Sequence, residues 1–171
     1  MSIKLVRPTI EMKELVLDYK KEHFDNNEMT INGSELLDKT DSYEEWLKSV
    51  NDNTSPETVN PAWVVTDTFF AIDPNNKIVG IIDLRHTLND FLKDCGNCGY
   101  SVRPSERKKG YATEMLRQII EIAKEVGMHE LYLSAEKSNV PSVKTIIKNG
   151  GVYERSFEIE GTLADVYKIT L

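Results

Sequence analysis

Residues 95–116 read CGNCGYSVRPSERKKGYATEML, and two functional readings compete in them. Cys95 and Cys98 form a C-x-x-C, the spacing of a redox pair or of half a metal site. Further on, a strand-like run over residues 98–103 stops at Pro104. It passes into a basic, glycine-bearing turn, Arg107-Lys108-Lys109-Gly110, and then into a helical pattern. That pattern covers residues 110–126, with Tyr111, Met115, Leu116, Ile119, Ile120, Ala123 and Val126 on one stripe. The order strand, turn, helix is what decides the fold.

A helix N-terminus presents free N–H groups and the positive end of the helix dipole, and so binds phosphates. Gly110 has no Cβ to keep a ligand away from the backbone. Arg107, Lys108 and Lys109 invert the local sign of a chain whose net charge is −7. The plain alternative is a solvated basic loop capping a helix. The turn fits neither G-x-x-x-x-G-K-[ST] nor G-x-G-x-x-G, so a P-loop and a dinucleotide fingerprint are both excluded.

The cysteine reading has little support. A structural zinc site needs four ligands and usually shows two paired clusters. Here there is one cluster, and His23, His86 and His129 are scattered. A thioredoxin-type motif opens a helix after a strand, whereas CGNC leads into a strand. Two ordinary, dispensable cysteines and no metal are expected.

Outward from this stretch, the N-terminal part is helical in pattern. A short strand over residues 3–7 ends at Pro8, and Thr9 is placed to cap a helix carrying Met12, Leu15, Val16 and Tyr19 on one face. Residues 34–38 and 42–50 read as two short helices, and residues 52–61 as a polar loop. The period then changes. Residues 63–72 and 77–84 are strand-like around the turn Asp73-Pro74-Asn75-Asn76 and predict a hairpin, and residues 88–93 a helical turn. Downstream come a strand over 130–135, a short helix over 139–149 stopped by Gly150-Gly151, and a closing hairpin, 152–159 with 163–171, around Gly161. Helices first, strands in the middle, then alternation predict a mixed α/β domain.

With 171 residues, 40% hydrophobic and 29% charged, one domain over residues 1–171 and a soluble globular protein are expected. The acidic balance argues against nucleic-acid binding and suits a cationic acceptor. No apolar run approaches membrane-spanning length and the N-terminus has no apolar signal core, so a cytoplasmic protein is expected.

The motif Val102-x-Pro104-x-x-Arg107-x-x-Gly110-x-Ala112 resembles the acyl-CoA signature of the GNAT superfamily of N-acetyltransferases, V-x-P-x-x-[RQ]-x-x-G-x-[GA]. Asn139-x-x-Ser142 followed by Lys148-Asn149-Gly150 resembles that family's second cofactor element. Two motifs at the right separation are far more specific than either, and the element order agrees over nearly the whole chain. The resemblance implies a central, mostly antiparallel, twisted sheet of about six to seven strands flanked by helices. It implies that backbone N–H groups of Lys108, Lys109, Gly110, Tyr111, Ala112 and Thr113, beside Arg107, hold the pyrophosphate of acetyl-CoA as co-substrate. The pantetheine arm would lie between the splayed strands at Tyr100 and Val102 and around residues 131–134, with Asn139 and Ser142 on its other side. Two positions depart from the family pattern. Ile146 stands where a tyrosine often serves as acid for the leaving thiolate, and Gly151 stands where phenylalanine is common.

Transfer of an acetyl group to a primary amine, small-molecule or peptide, is then expected, with a backbone N–H near Val102 polarising the thioester carbonyl and Ser142 as a hydroxyl for the thiolate. A homodimer is compatible with this reading. His86 is the candidate base, because an unperturbed imidazole titrates near neutrality; the alternative is a loop histidine with no role. Glu114 reads as a carboxylate complementing the helix dipole, Trp46, Trp63 and Phe69-Phe70 as core, and Tyr153 and Glu158 as weaker substrate contacts. The rival function is a non-catalytic acyl-CoA-binding module.

Overall fold

The computed structural model describes residues 2–171. Strands β1 (Lys4–Val6), β2 (Thr66–Ile72), β3 (Ile78–Arg85) and β4 (Tyr100–Val102) form one antiparallel sheet in that order. Strands β5 (Glu130–Glu136), β6 (Val152–Ile159) and β7 (Thr162–Thr170) form a second, in the order β5-β7-β6. Helices α1 (Lys13–Asp25), α2 (Tyr43–Asp52), α3 (Tyr111–Glu125) and α4 (Val140–Lys148) and two 3-10 turns, Ile10–Met12 and Pro104–Glu106, complete the described elements. The mixed α/β architecture with mostly antiparallel strands is as expected.

Residues 69–72 of β2 and 78–82 of β3 are non-polar on successive positions because both faces of the hairpin are covered there. Phe69, Ala71, Val79, Ile82 and Leu84 pack against Met115, Leu116, Ile119 and Ala123 of α3. Phe70, Ile78 and Ile81 pack on the other side against Val16 and Tyr19 of α1 and Tyr43, Trp46 and Val50 of α2. Each fully buried large side chain contributes about 1.5–3 kcal/mol, so this two-sided burial fixes the register of the hairpin. Phe69 and Phe70, adjacent in sequence, therefore belong to opposite layers, as alternation along a strand demands. Trp46 sits in the α1–α2 layer, and Trp63 belongs to neither core.

Two local expectations fail for identifiable reasons. Residues 34–38 are not helical. The carbonyls of Ser34 and Glu35, which a helix would need for its own ladder, both accept the Trp46 indole N–H, at 2.9 and 3.1 Å. Thr9 gives no side-chain cap; its carbonyl accepts Met12 N–H at 3.3 Å and the Tyr43 hydroxyl at 2.6 Å instead. Residues 88–93 carry the expected turn: Leu92 N–H donates to Asn89 O at 3.1 Å and to the Asn89 side-chain oxygen at 2.9 Å. Ser42, by contrast, caps α2 through its hydroxyl, which accepts Glu45 N–H at 3.2 Å.

Candidate active site

The strand–turn–helix segment forms as its sequence dictates. After β4, Pro104 opens a single 3-10 turn, and Lys108 and Gly110 both take positive φ, 64° and 84°. Gly110 is the N-cap of α3 in the left-handed region and no side chain caps the helix. Among the described residues, the backbone N–H groups of Lys108, Lys109, Gly110, Tyr111, Ala112 and Thr113 have no hydrogen-bond partner. Six consecutive donors on alternating backbone make an anion-binding nest at the positive end of a helix dipole.

The cations of the turn are less free than their sequence implies. Arg107 is held bidentately by Glu28, Nη1 to Oε2 at 2.8 Å and Nη2 to Oε1 at 2.5 Å, and its Nε donates to Val102 O at 3.2 Å. The Arg107 guanidinium in turn holds the Glu28 carboxyl down at about 2. Lys109 pairs with Glu106 at 2.7 Å. Lys108 alone of the three makes no ion pair among the described residues. Arg107 thus ties the turn to the end of α1, and the nest itself rests on backbone.

Beside the turn the two sheets part. In the β3–β4 ladder the odd-numbered residues bond to β3: Asp83 N–H to Gly99 O at 3.1 Å and Arg103 N–H to Val79 O at 2.8 Å. Tyr100 and Val102 therefore turn their N–H groups away from β3, toward β5. No ladder joins β4 to β5; one bridge, Gly96 with Leu133, marks where the sheets meet. Asn97 staples that joint. Its N–H donates to Tyr132 O at 2.6 Å, its side-chain oxygen accepts Tyr132 N–H at 2.8 Å, and its side-chain nitrogen donates to Arg85 O at 3.0 Å. From this closed end the edges of β4 and β5 diverge toward the N-terminus of α3.

α4 covers the same opening. Asn139 caps it, its side-chain oxygen accepting Ser142 N–H at 3.3 Å. Ser142 Oγ lies 2.8 Å from the Tyr100 hydroxyl, which burial pushes up to about 12 against the pull of its Ser142 bond. Ile146 is buried in the α3 core. The nest, Tyr100, Val102, Asn139 and Ser142 are thus brought to one opening.

His86 lies elsewhere. It lines an open groove of about 620 Å3 with Asn97, residues 126–130 and Tyr132, at the closed end of the joint and the C-terminal end of α3. Its Nε2 is 2.6 Å from Asp67 Oδ2, and Asp67 Oδ1 accepts Arg7 at 2.7 Å. Cys95 and Cys98 are unpaired, the first exposed and the second buried, where burial pushes its thiol up. No group of three or more His, Cys, Asp or Glu among the described residues is placed to hold a metal ion. Glu114, in the first turn of α3, takes Arg117 and Gln118 and is held down to about 2 by Arg117. Tyr153 and Glu158 lie exposed on β6, Tyr153 against Tyr167 and Ser156.

A second polar cluster, which sequence reading missed, sits on the opposite face of β3 and β4 from α3. Asp83 is fully buried; its Oδ1 accepts Gly99 N–H at 2.6 Å and its Oδ2 is 3.1 Å from Arg85 Nη2. Glu35, from the α1–α2 loop, leans on Asp83. Burial first, then the Asp83 carboxylate, raise Glu35 well above the usual carboxylate range. A lone acid in IVGIIDLR was the only sequence signal for this cluster.

The family model described as "Acetyltransferase (GNAT) domain" matches residues 11–152. A search of curated proteins gives no match. Among solved structures, the microcin C7 self-immunity acetyltransferase MccE, in complex with acetyl-CoA and AMP, superposes with a TM-score of 0.72 at 17% identity, covering 99% of this chain and 92% of that one. A mutant form of the spermidine N-acetyltransferase SpeG from Vibrio cholerae superposes with a TM-score of 0.66 at 15% identity, covering 99% and 95%. The match over most of the sequence, on a fold carrying both motifs, makes this chain a member of the GNAT acetyltransferase family.

Proposed function

We propose that the protein transfers the acetyl group of acetyl-CoA to a primary amine by direct attack within a ternary complex. The observation that carries this reading is the run of six unpartnered N–H groups, residues 108–113, opening onto the divergent edges of β4 and β5. Those donors suit a pyrophosphate, with Lys108 as the one unpaired cation of the turn. An extended amide-bearing arm suits the free strand edges, as an added strand would. The N–H groups of Tyr100 and Val102 are oriented to polarise a thioester carbonyl. Tyr100 and Ser142 supply hydroxyls near the departing sulfur, in place of the tyrosine that Ile146 replaces. A thiol with an ordinary pKa of about 8.5 is a tolerable leaving group in any case. Holding amine and thioester together removes most of the entropic barrier. That relatives of this fold include a spermidine acetyltransferase supports an amine acceptor.

The test has two arms. A panel of primary amines incubated with protein and acetyl-CoA is expected to give acceptor-dependent release of free thiol. Gly110→Val is expected to weaken acetyl-CoA binding at least tenfold by calorimetry. A β-branched residue at φ 84° costs about 1–2 kcal/mol and intrudes on the nest. Unchanged affinity in that variant removes the turn from the site. Binding without any turnover leaves the chain a non-catalytic acyl-CoA module.

A further inference from the structure

The chain folds back at the end of α1 so that Glu28 meets His23. Asn27 takes φ 61°. Glu28 N–H donates to His23 O at 2.9 Å and Asn27 N–H to Phe24 O at 3.0 Å. These are the two bonds of a Schellman closure, with asparagine in the left-handed position that glycine usually holds. The closure returns the Glu28 carboxylate to the imidazole, and His23 Nδ1 lies 3.2 Å from Glu28 Oε1. His23 therefore holds Glu28 through main chain and side chain alike.

His23 is 1% exposed and stands edge-on to Tyr19, ring centres 4.8 Å apart. Its Nε2 is buried and has no hydrogen-bond partner. The proton therefore belongs on Nδ1, where a carboxylate accepts it. The charged groups around the ring are Glu28, Glu22 and Arg107. Burial pushes the imidazole below its ordinary value against the pull of Glu28, and Arg107 pushes the same way. The ring is thus neutral and donates through Nδ1 alone. A buried nitrogen without a partner is destabilising, and an apolar side chain at position 23 would avoid it. Packing of α1 alone does not account for a histidine here; its bond to Glu28 does.

Glu28 passes that bond on. A carboxylate has about four acceptor positions, and all are filled. Oε1 takes His23 Nδ1 and Arg107 Nη2, and Oε2 takes Arg107 Nη1 and, at 2.5 Å, Asn26 Nδ2. The bidentate pair fixes the plane of the guanidinium, and Arg107 Nε then reaches Val102 O at 3.2 Å. Val102 turns this carbonyl, like its N–H, to the opening between the sheets. His23, Glu28 and Arg107 so connect the buried face of α1 to the last residue of β4 and to the residue that precedes the nest.

We infer that His23 is a positioning residue for the coenzyme. Through Glu28 it orients Arg107, and Arg107 sets the end of β4 and the entry to the 108–113 nest relative to each other. The inference rests on the acetyl-CoA reading of the nest and adds to it a buried residue that touches no substrate. Glu28 neutralises Arg107, so the relay supplies shape rather than charge.

The test measures acetyl-CoA affinity by calorimetry and unfolding stability by denaturant titration in wild type, His23→Leu, His23→Asn, His23→Gln, Glu28→Ala and the double variant His23→Leu/Glu28→Ala. His23→Leu is expected to weaken binding about two- to tenfold, the net weight of one hydrogen bond. Asparagine carries its amide nitrogen at the place of Nδ1 and is expected to restore the affinity. Glutamine carries its own at the place of Nε2, where no partner waits, and is expected to bind as weakly as leucine. In the Glu28→Ala background, His23→Leu is expected to add no further loss, because residues acting in one network are not additive. Equal affinities for the asparagine and glutamine variants overturn the inference, whatever their stabilities, and keep it testable if His23→Leu does not fold. Losses that add in the double variant overturn it as well, and in both cases acetyl-CoA binding at the nest stands. Wild type that binds no acetyl-CoA removes the coenzyme reading and this inference together.

Discussion

Asn97 is the residue through which the CGNC segment matters, and neither cysteine shares its role. Its side chain spans from Arg85 O on β3 to Tyr132 N–H on β5, closing the end of the joint that its neighbours leave open. Removing it orphans a donor and an acceptor in partly buried surroundings, at about 1–3 kcal/mol for each group. Asn97→Ala is expected to lower unfolding stability by about 2–4 kcal/mol in denaturant titration, with Cys95→Ser indistinguishable from wild type. Cys98 differs from Cys95. It is 4% exposed within the α3 core, so Cys98→Ser buries a hydroxyl at a cost of about 1–3 kcal/mol, while coenzyme affinity stays. A destabilisation by Cys95→Ser equal to that of Asn97→Ala contradicts this division. The expectation of dispensable cysteines therefore needs amending for packing at Cys98.

At the scale of elements, the two departures from the family pattern in and after α4 are one adjustment. Gly150 and Gly151 end the helix with N–H bonds to Ile147 O at 3.0 Å and Ile146 O at 2.9 Å, the paired closure of a Schellman motif. A Cβ on Gly151 would lie 2.4 Å from Ile146 Cγ2. The bulk of Ile146, 1% exposed, occupies the space that a side chain at 151 would need. Ile146→Tyr is thus expected to overpack the α3–α4 contact and cost about 1–3 kcal/mol without raising turnover, read by thermal melting beside the thiol-release rate. A gain in rate at undiminished stability would show that the tyrosine has room. Elements with a strong period, α3, β2, β3 and the β6–β7 hairpin, were legible because local pattern and burial agree. The nest was legible because Gly110 and the motif lie within a few residues. The α1–α2 loop was not. Its conformation is set by Trp46, Gly99 and Ser101, distant in sequence, and those contacts override the helical reading of residues 34–38. Glu35 was hidden with it, since nothing within its own segment places it over Asp83.

Across the whole molecule, carboxylates of the α1 region tie that helical layer to the coenzyme side of the sheet. Arg103, 3% exposed, donates Nε to Ile78 O at 2.7 Å and Nη1 to Glu22 at 2.8 Å, and Ser105 N–H donates to Glu22 at 2.7 Å. Burial works against ionised Glu22, but the Ser105 and Arg103 bonds prevail and hold it down to about 2. Glu28, clamped by Arg107, sits equally low. A carboxylate depressed in the folded state adds stability that is present above its ordinary value of 4.5 and is lost as pH falls through the folded value near 2. Acidification across that window is therefore expected to destabilise the fold. It is also expected to loosen the turn at residues 107–110 before the cores melt, because Glu22 and Glu28 hold residues 103–107, which lead into the nest. Glu22→Gln should flatten the dependence of stability on pH there by at most about 1.4 kcal/mol per pH unit, the contribution of one proton. Stability by denaturant titration at a series of acidic pH values, with acetyl-CoA affinity followed in parallel, reads both effects. A slope unchanged by Glu22→Gln removes the Arg103–Glu22 tie from the acid response. Affinity that survives until global unfolding shows that the nest keeps its shape without these carboxylates.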